Sequence, residues 1–191
     1  MSQLIKPGQG FLYMKVGTHA NETLEDIIKR KSLEIDRTGF AMWGYGGNTC
    51  HPQTMVQPFA KECVAAGQTI YLCMEEMDSK HFAEPLRADE YSIDGRTWNE
   101  IDPNIHVLGS RYALVIKNLH KEEFDLPLRR STVAIGNSLG SPGDRYIRGR
   151  VDKACLRLTD GEPIDGEGDI HHIGLIAEIA DPYAVYLRNR L

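Results

Sequence analysis

The chain has 191 residues, a formal net charge of −5, 41% hydrophobic and 26% charged residues, which is the composition of one globular domain able to bury a core of its own. The acidic balance argues against tight, non-specific binding to duplex nucleic acid. No apolar run approaches the ~18–20 residues that span a bilayer, and the N-terminal stretch lacks the apolar core of a signal peptide, so a cytoplasmic location with no membrane partner is expected.

In chain order, residues 10–17 form a short apolar run bounded by glycines and predict a buried strand. Thr23, with Glu25 and Asp26 behind it, has the form of a helix N-cap; Leu24, Ile27, Ile28, Lys31 and Ile35 then recur at helical spacing, and Gly39 ends the run. Residues 40–45 predict a second strand, 52–66 a shorter helix closed by Gly67, and 68–74 a third strand. The pattern then turns to β. Asp94-Gly95, flanked by β-formers across 91–98, signals a hairpin, and strands are predicted at 112–117, 131–135, 151–158 and 170–179. The acidic stretch 159–168 reads as a surface loop, and the tail from Asp181 has no assigned state. The expected fold is a single α+β domain over residues 1–191: a mixed, partly closed sheet with two or three helices, mainly in the N-terminal half.

Cys50, Cys63, Cys73 and Cys155 are scattered, without a C-x-x-C pair or a compact Cys/His cluster. That spacing excludes the pattern of a zinc knuckle or a secreted disulfide scaffold and leaves free thiols as the expected state. His171-His172, after Asp165, Glu167 and Asp169, lacks recognisable metal-ligand spacing. The two imidazoles are expected to straddle the faces of a strand.

The layout resembles the PUA-like superfamily, and within it the YTH and EVE domains, over roughly residues 10–140. The resemblance is carried by Phe11-Leu12 opening a strand before a helix, Trp43 near the end of the second strand, Ile70-Tyr71-Leu72 after a second helix, Ser79-Lys80-His81-Phe82, Trp98, and a later strand over 111–117. The glycine cluster after Trp43 and the Cys50-His51-Pro52 step depart from that pattern. The resemblance implies a base-sized aromatic cage with Trp43 and Trp98 as walls; stacking of a base on an aromatic face is worth roughly 1–3 kcal/mol.

Residues 39–52 are the segment most suited to a ligand, because Trp43 and Tyr45 fall on one side of an extended strand among glycines that leave backbone and ring faces uncovered. Asn48 there supplies hydrogen bonds to a ligand edge. The structural alternative makes Trp43 and Tyr45 core and edge aromatics, and Trp98 one member of a cross-strand pair. Residues 136–150 form the second candidate: glycines with Ser138 and Ser141, followed by Arg145, Arg148 and Arg150, suit a phosphate cradle, or else a solvated loop. The spacing matches neither the phosphate-loop nor the dinucleotide fingerprint, so no cofactor is expected.

The expected function is binding of a nucleotide, a modified base or a short single-stranded nucleic-acid segment. Trp43, Tyr45 and Trp98 would stack, Asn48 would read an edge, and Ser138, Arg145, Arg148 and Arg150 would meet phosphate. The alternative is a small cysteine- or histidine-dependent hydrolase or transferase acting on a nucleotide-like or amide substrate, with Cys50, His51, His19 or His81 in the chemistry. Cys50 and His51 are neighbours that point apart on an extended segment, so a base for Cys50 would come from His19, His81 or elsewhere.

Overall fold

The computed structural model describes residues 4–45, 52–81, 84–148, 153–160 and 170–190, with 79–81 as backbone alone. The apolar run between glycines is strand β1 (Gly10–His19). Helix α1 (Leu24–Thr38) begins where the Thr23 hydroxyl accepts a hydrogen bond from Asp26 N at 3.2 Å and ends at Gly39, whose φ of +88° turns the chain out of the helix. Strand β2 (Ala41–Tyr45) and helix α2 (Gln53–Ala65) follow, close to their expected bounds. Strand β3 (Tyr71–His81) starts later than expected and runs seven residues past Met74. The Asp94-Gly95 turn joins β4 (Glu90–Ser92) to β5 (Asn99–Glu100), as a hairpin should.

The second half departs further from expectation. Strand β6 (Tyr112–Leu126) is 15 residues long instead of six. A 3-10 turn (Leu128–Arg130) leads into β7 (Ser131–Val133), and a short helix α3 (Gly143–Tyr146) interrupts the stretch expected to be loop. Strand β8 (Lys153–Leu158) precedes β9 (His171–Arg188), whose 18 residues absorb most of the unassigned C-terminal tail.

These strands form one mixed sheet of nine in the order β2-β6-β9-β3-β1-β8-β7, with β4 also paired to β9 and β5 to β4. Only β1 and β3 run parallel; the other described pairings are antiparallel. The sheet is not closed, because its end strands β2 and β7 do not pair among the described residues. Its curl nonetheless brings Lys153 Nζ of β8 to 5.3 Å from the centre of the Tyr45 ring on β2.

Alternation along the strands sorts side chains into separate cores. Leu12, Trp43, Leu72, Leu114 and Ala177 bury with Phe59 of α2 on one face, and Phe11, Tyr13, Cys73, Leu156 and Ile173 on the other. A third cluster, with Met42, Val115 and Leu187, lies against Ile101, Ile105 and Val107.

That 101–107 segment is tied to α1 by buried charge. Lys31 and Glu34, each 2% exposed, are paired at 3.1 Å; Lys31 Nζ also donates to the His106 carbonyl at 2.6 Å, and His106 N–H donates to Glu34 Oε1 at 3.0 Å. Arg30 donates to the same carbonyl, to Glu34 and to Glu22. Burial pulls the Lys31 ammonium down to about 8 against the opposing attraction of Glu34. Removing one partner from a buried pair leaves the other charge poorly compensated. Lys31→Met is therefore expected to lower the free energy of unfolding by about 3 kcal/mol, measured by urea denaturation against the wild type.

Candidate functional site

Backbone register assembles a row of aromatics that no single segment contains. Tyr45 ends β2 and pairs with Tyr112 at the start of β6, which pairs in turn with Tyr186 near the end of β9. Cross-strand partners share a face, so the three rings stand side by side, with centroids 5.9 Å apart at 34° between Tyr45 and Tyr112 and 5.7 Å apart at 53° between Tyr112 and Tyr186. Tyr45 is 4% exposed, whereas Tyr112 and Tyr186 are half-buried.

Three elements frame this row. At the β2 end, Tyr45 and Lys153 border a small, largely apolar cavity with Leu12, Val56, Leu114 and Cys155. Above β9, Gln57 Nε2 of α2 donates to the Ala184 carbonyl at 2.6 Å, while Gln53 Nε2 donates to the Ile93 carbonyl at 2.8 Å. Helix α2 is thereby fastened both to the strand carrying Tyr186 and to the β4–β5 turn. At the far end, Gly95 lies against Tyr186 so closely that an added Cβ would sit 3.3 Å from the ring, and its φ of +76° also favours glycine. Asp94 shapes the turn by accepting from the Arg96 and Thr97 N–H groups, each at 2.8 Å; those bonds, Thr97 first, hold its carboxyl below the usual range.

Trp98 closes the row through a cation. Arg188 is two residues beyond Tyr186 on β9, hence on the same side of the strand, and its guanidinium lies 4.1 Å from the centre of the half-buried Trp98 ring. Glu90 on β4 accepts from Arg188 Nε at 2.5 Å and from Arg190. These two bonds, that from Arg190 first, hold the Glu90 carboxyl down to about 2.

The expected site residues that the structure describes are dispersed over the fold. Tyr45 and Trp98 belong to the row, at its two ends. Trp43 does not: it is 4% exposed, stands opposite Leu114 and is packed in the helix-covered core, so it is a core side chain without an open ring face. The glycine beside it leaves no room for a ligand either, since a Cβ on Gly44 would lie 2.4 Å from Ser110 Oγ.

Ser138 sits in a tight turn whose Leu139, Gly140 and Ser141 N–H groups are spent on the Gly136, Val133 and Ser138 carbonyls, which removes them from the expected phosphate cradle. Arg145 and Arg148 are exposed on and just after α3, beside Tyr146 and Ile147, which pack in the core on the opposite face from the tyrosines. Asn48, Cys50, His51 and Arg150 lie outside the described residues, as does the side chain of His81, although register places His19 and His81 as neighbours on β1 and β3. His19 Nε2 lies 3.1 Å from the Leu108 carbonyl. His171 and His172 straddle β9 as expected, one beside Glu75 and the other beside Asp125.

Sequence reasoning missed Tyr112, Tyr186, Arg188 and Lys153. A tyrosine at each strand terminus was visible, but their proximity follows only from a register linking residues about 70 apart in sequence.

Because Glu90 is ionised in the folded protein well below the pH at which a free carboxylate protonates, it contributes stability that is present above about pH 4.5 and lost as the pH falls toward about 2. The Trp98 indole resonance is accordingly expected to hold its native position down to about pH 3 and to move only below it. Glu90→Gln, which releases Arg188, should shift that resonance at neutral pH. A two-dimensional ¹H–¹⁵N titration of wild type and variant measures both.

In comparisons with known proteins, no family model, no curated protein and no solved structure matches this chain.

Proposed function

We propose that the chain binds a planar, ring-containing ligand, a nucleotide, a modified base or a short single-stranded nucleic-acid segment, on Tyr112 and Tyr186, with the buried Tyr45 ring backing the row beside Tyr112. The supporting observation is the register that sets three tyrosines side by side on one curled face, two of them partly open, between a lysine at one end and a tryptophan–arginine stack at the other. Aromatic faces accept any base, because every base has a π-face, and tyrosine hydroxyls add hydrogen bonds at its edge. This keeps the base-holding role implied by the PUA-like resemblance and moves it from Trp43 to Tyr112 and Tyr186. Lys153 offers one ammonium to a ligand phosphate. Arg145 and Arg148 take part only for a ligand long enough to pass from the tyrosines to α3.

The reading is tested by calorimetric titration with nucleosides, mononucleotides and a short single-stranded oligonucleotide. Tyr186→Ala and Tyr112→Ala should each weaken binding by about 1–3 kcal/mol, roughly five- to 150-fold in Kd. A folded Tyr186→Ala protein that binds as tightly as wild type overturns the reading. Replacing Arg145 and Arg148 together by Ala should reduce the salt dependence of oligonucleotide binding by about two phosphate contacts and leave mononucleotide binding unchanged.

A further inference from the structure

On the sheet face opposite the tyrosines, three polar side chains from three strands meet at one oxygen. The Tyr13 hydroxyl donates to Glu75 Oε2, and His171 Nδ1 lies 2.7 Å from the same oxygen and 3.2 Å from the Tyr13 hydroxyl. Tyr13 is wholly buried with Phe11, Cys73 and Ile173, and its ring meets the imidazole edge-on at 5.7 Å and 84°. Polar groups at such a place cost free energy unless hydrogen-bonded, and here the Tyr13 hydroxyl, Glu75 Oε2 and His171 Nδ1 bond one another.

The arrangement sets the tautomer of the imidazole. A carboxylate only accepts, so in the neutral ring Nδ1 carries the proton and Nε2 keeps its lone pair, with no hydrogen-bond partner among the described residues. The His171 side chain is 14% exposed, which leaves that nitrogen at the margin of the buried cluster. The next residue supplies a natural control. His172 makes the same Nδ1–carboxylate contact with Asp125 at 3.0 Å, but with the two side chains 61% and 65% exposed and, among the described residues, no tyrosine sharing the oxygen.

We propose that His171, with Glu75 and Tyr13 as positioning residues, forms a general-base site for hydrolysis of a small, uncharged carboxylic ester. A carboxylate behind Nδ1 holds the ring in one orientation and stabilises the imidazolium that forms when Nε2 accepts a proton. The Glu75 carboxylate beside the imidazole disfavours anionic substrates, and the half-buried Phe124, packed against the same core, gives an apolar flank suited to an acyl group. In the step, Nε2 takes a proton from water as the water oxygen bonds to the carbonyl carbon and the carbonyl π pair moves onto its oxygen. Collapse of that intermediate re-forms the carbonyl and breaks the bond to the alkoxide. The leaving oxygen takes the proton back from Nε2, so ester and water become acid and alcohol with the imidazole restored.

The probe is p-nitrophenyl acetate, followed by release of p-nitrophenolate. His171→Gln is expected to lower kcat/KM about a hundredfold, within the range for loss of a general base. Glu75→Gln should lower kcat about tenfold with KM changed less than about twofold, the split expected of a residue that orients the base. His172→Gln should stay within about twofold of wild type. A folded His171→Gln protein at the wild-type rate, or a wild type no faster than the same concentration of free imidazole, overturns the proposal. Diethyl pyrocarbonate treatment of the folded wild type gives a second readout that needs no variant. Loss of activity in step with carbethoxylation of His171 supports the site, and activity that survives complete modification of His171 overturns it.

Discussion

The pairing of β6 with β9 is the constraint on which the rest of the molecule depends. It joins Tyr112–Tyr186 at one end to Leu126–His171 at the other, and β9 then hands the sheet on to β3 along one edge and to β4 through its last residues. Without it, β2 has no route into the sheet, because its described partner is β6 alone. Side-chain direction alternates along a strand, so a one-residue slip would turn each of these side chains to the other face. Three register shifts, between Leu114 and Ile116, Lys117 and His120, and Lys121 and Phe124, are absorbed in the pairing, so the sequence offset between partners differs at the two ends. The tyrosine row sits at one end of this seam and His171 near the other.

Charge does for the irregular segments what the ladder does for the strands. The 101–107 segment has no helix and no strand beyond Glu100, yet Lys31, Arg30 and Glu34 hold its His106 backbone against α1 through both its N–H and its carbonyl. At the opposite end of the chain, Glu90 gathers Arg188 and Arg190 onto β4. The Lys31–Glu34 pair lies away from solvent, where screening is weak and removal of one partner is costly; the Glu90 pairs involve arginines that are about half exposed, where salt weakens them. The first therefore bears on whether the fold forms, the second on where Trp98 and Arg188 stand.

Legibility in the sequence followed the range of the interaction responsible. Helix α1 was readable because its cap, its apolar spacing and its terminal glycine all lie within 17 consecutive residues from Thr23 to Gly39, and the β4–β5 turn was readable from Asp94-Gly95. The far half of β6, Asn118-Leu119-His120-Lys121-Glu122-Glu123-Phe124-Asp125, has no strand pattern because both its faces are largely exposed and its backbone pairing with β9 is what holds it extended. Asp181-Pro182 reads as a break, since proline cannot donate to a ladder, and β9 nevertheless continues to Arg188. The misreading of Trp43 has a similar origin. Gly44 signalled open space beside the ring, but the space is filled by Ser110 and Val107, residues more than 60 positions away whose approach no local pattern announces.

The same reasoning explains why both proposed sites are composites. A strand presents alternate residues to opposite faces, so a given face receives only every second side chain from each strand, and any cluster on it must draw its members from neighbouring strands. The tyrosine row takes one residue each from β2, β6 and β9; the Tyr13–Glu75–His171 cluster takes one each from β1, β3 and β9. Strand β9 belongs to both, and it reaches both because its 18 residues span the sheet from end to end. A substitution that loosened β9 would disturb an aromatic surface and an imidazole–carboxylate pair together. Changes confined to Tyr112 or to Glu75 touch one face each, and this separability lets the two proposals be tested independently of each other.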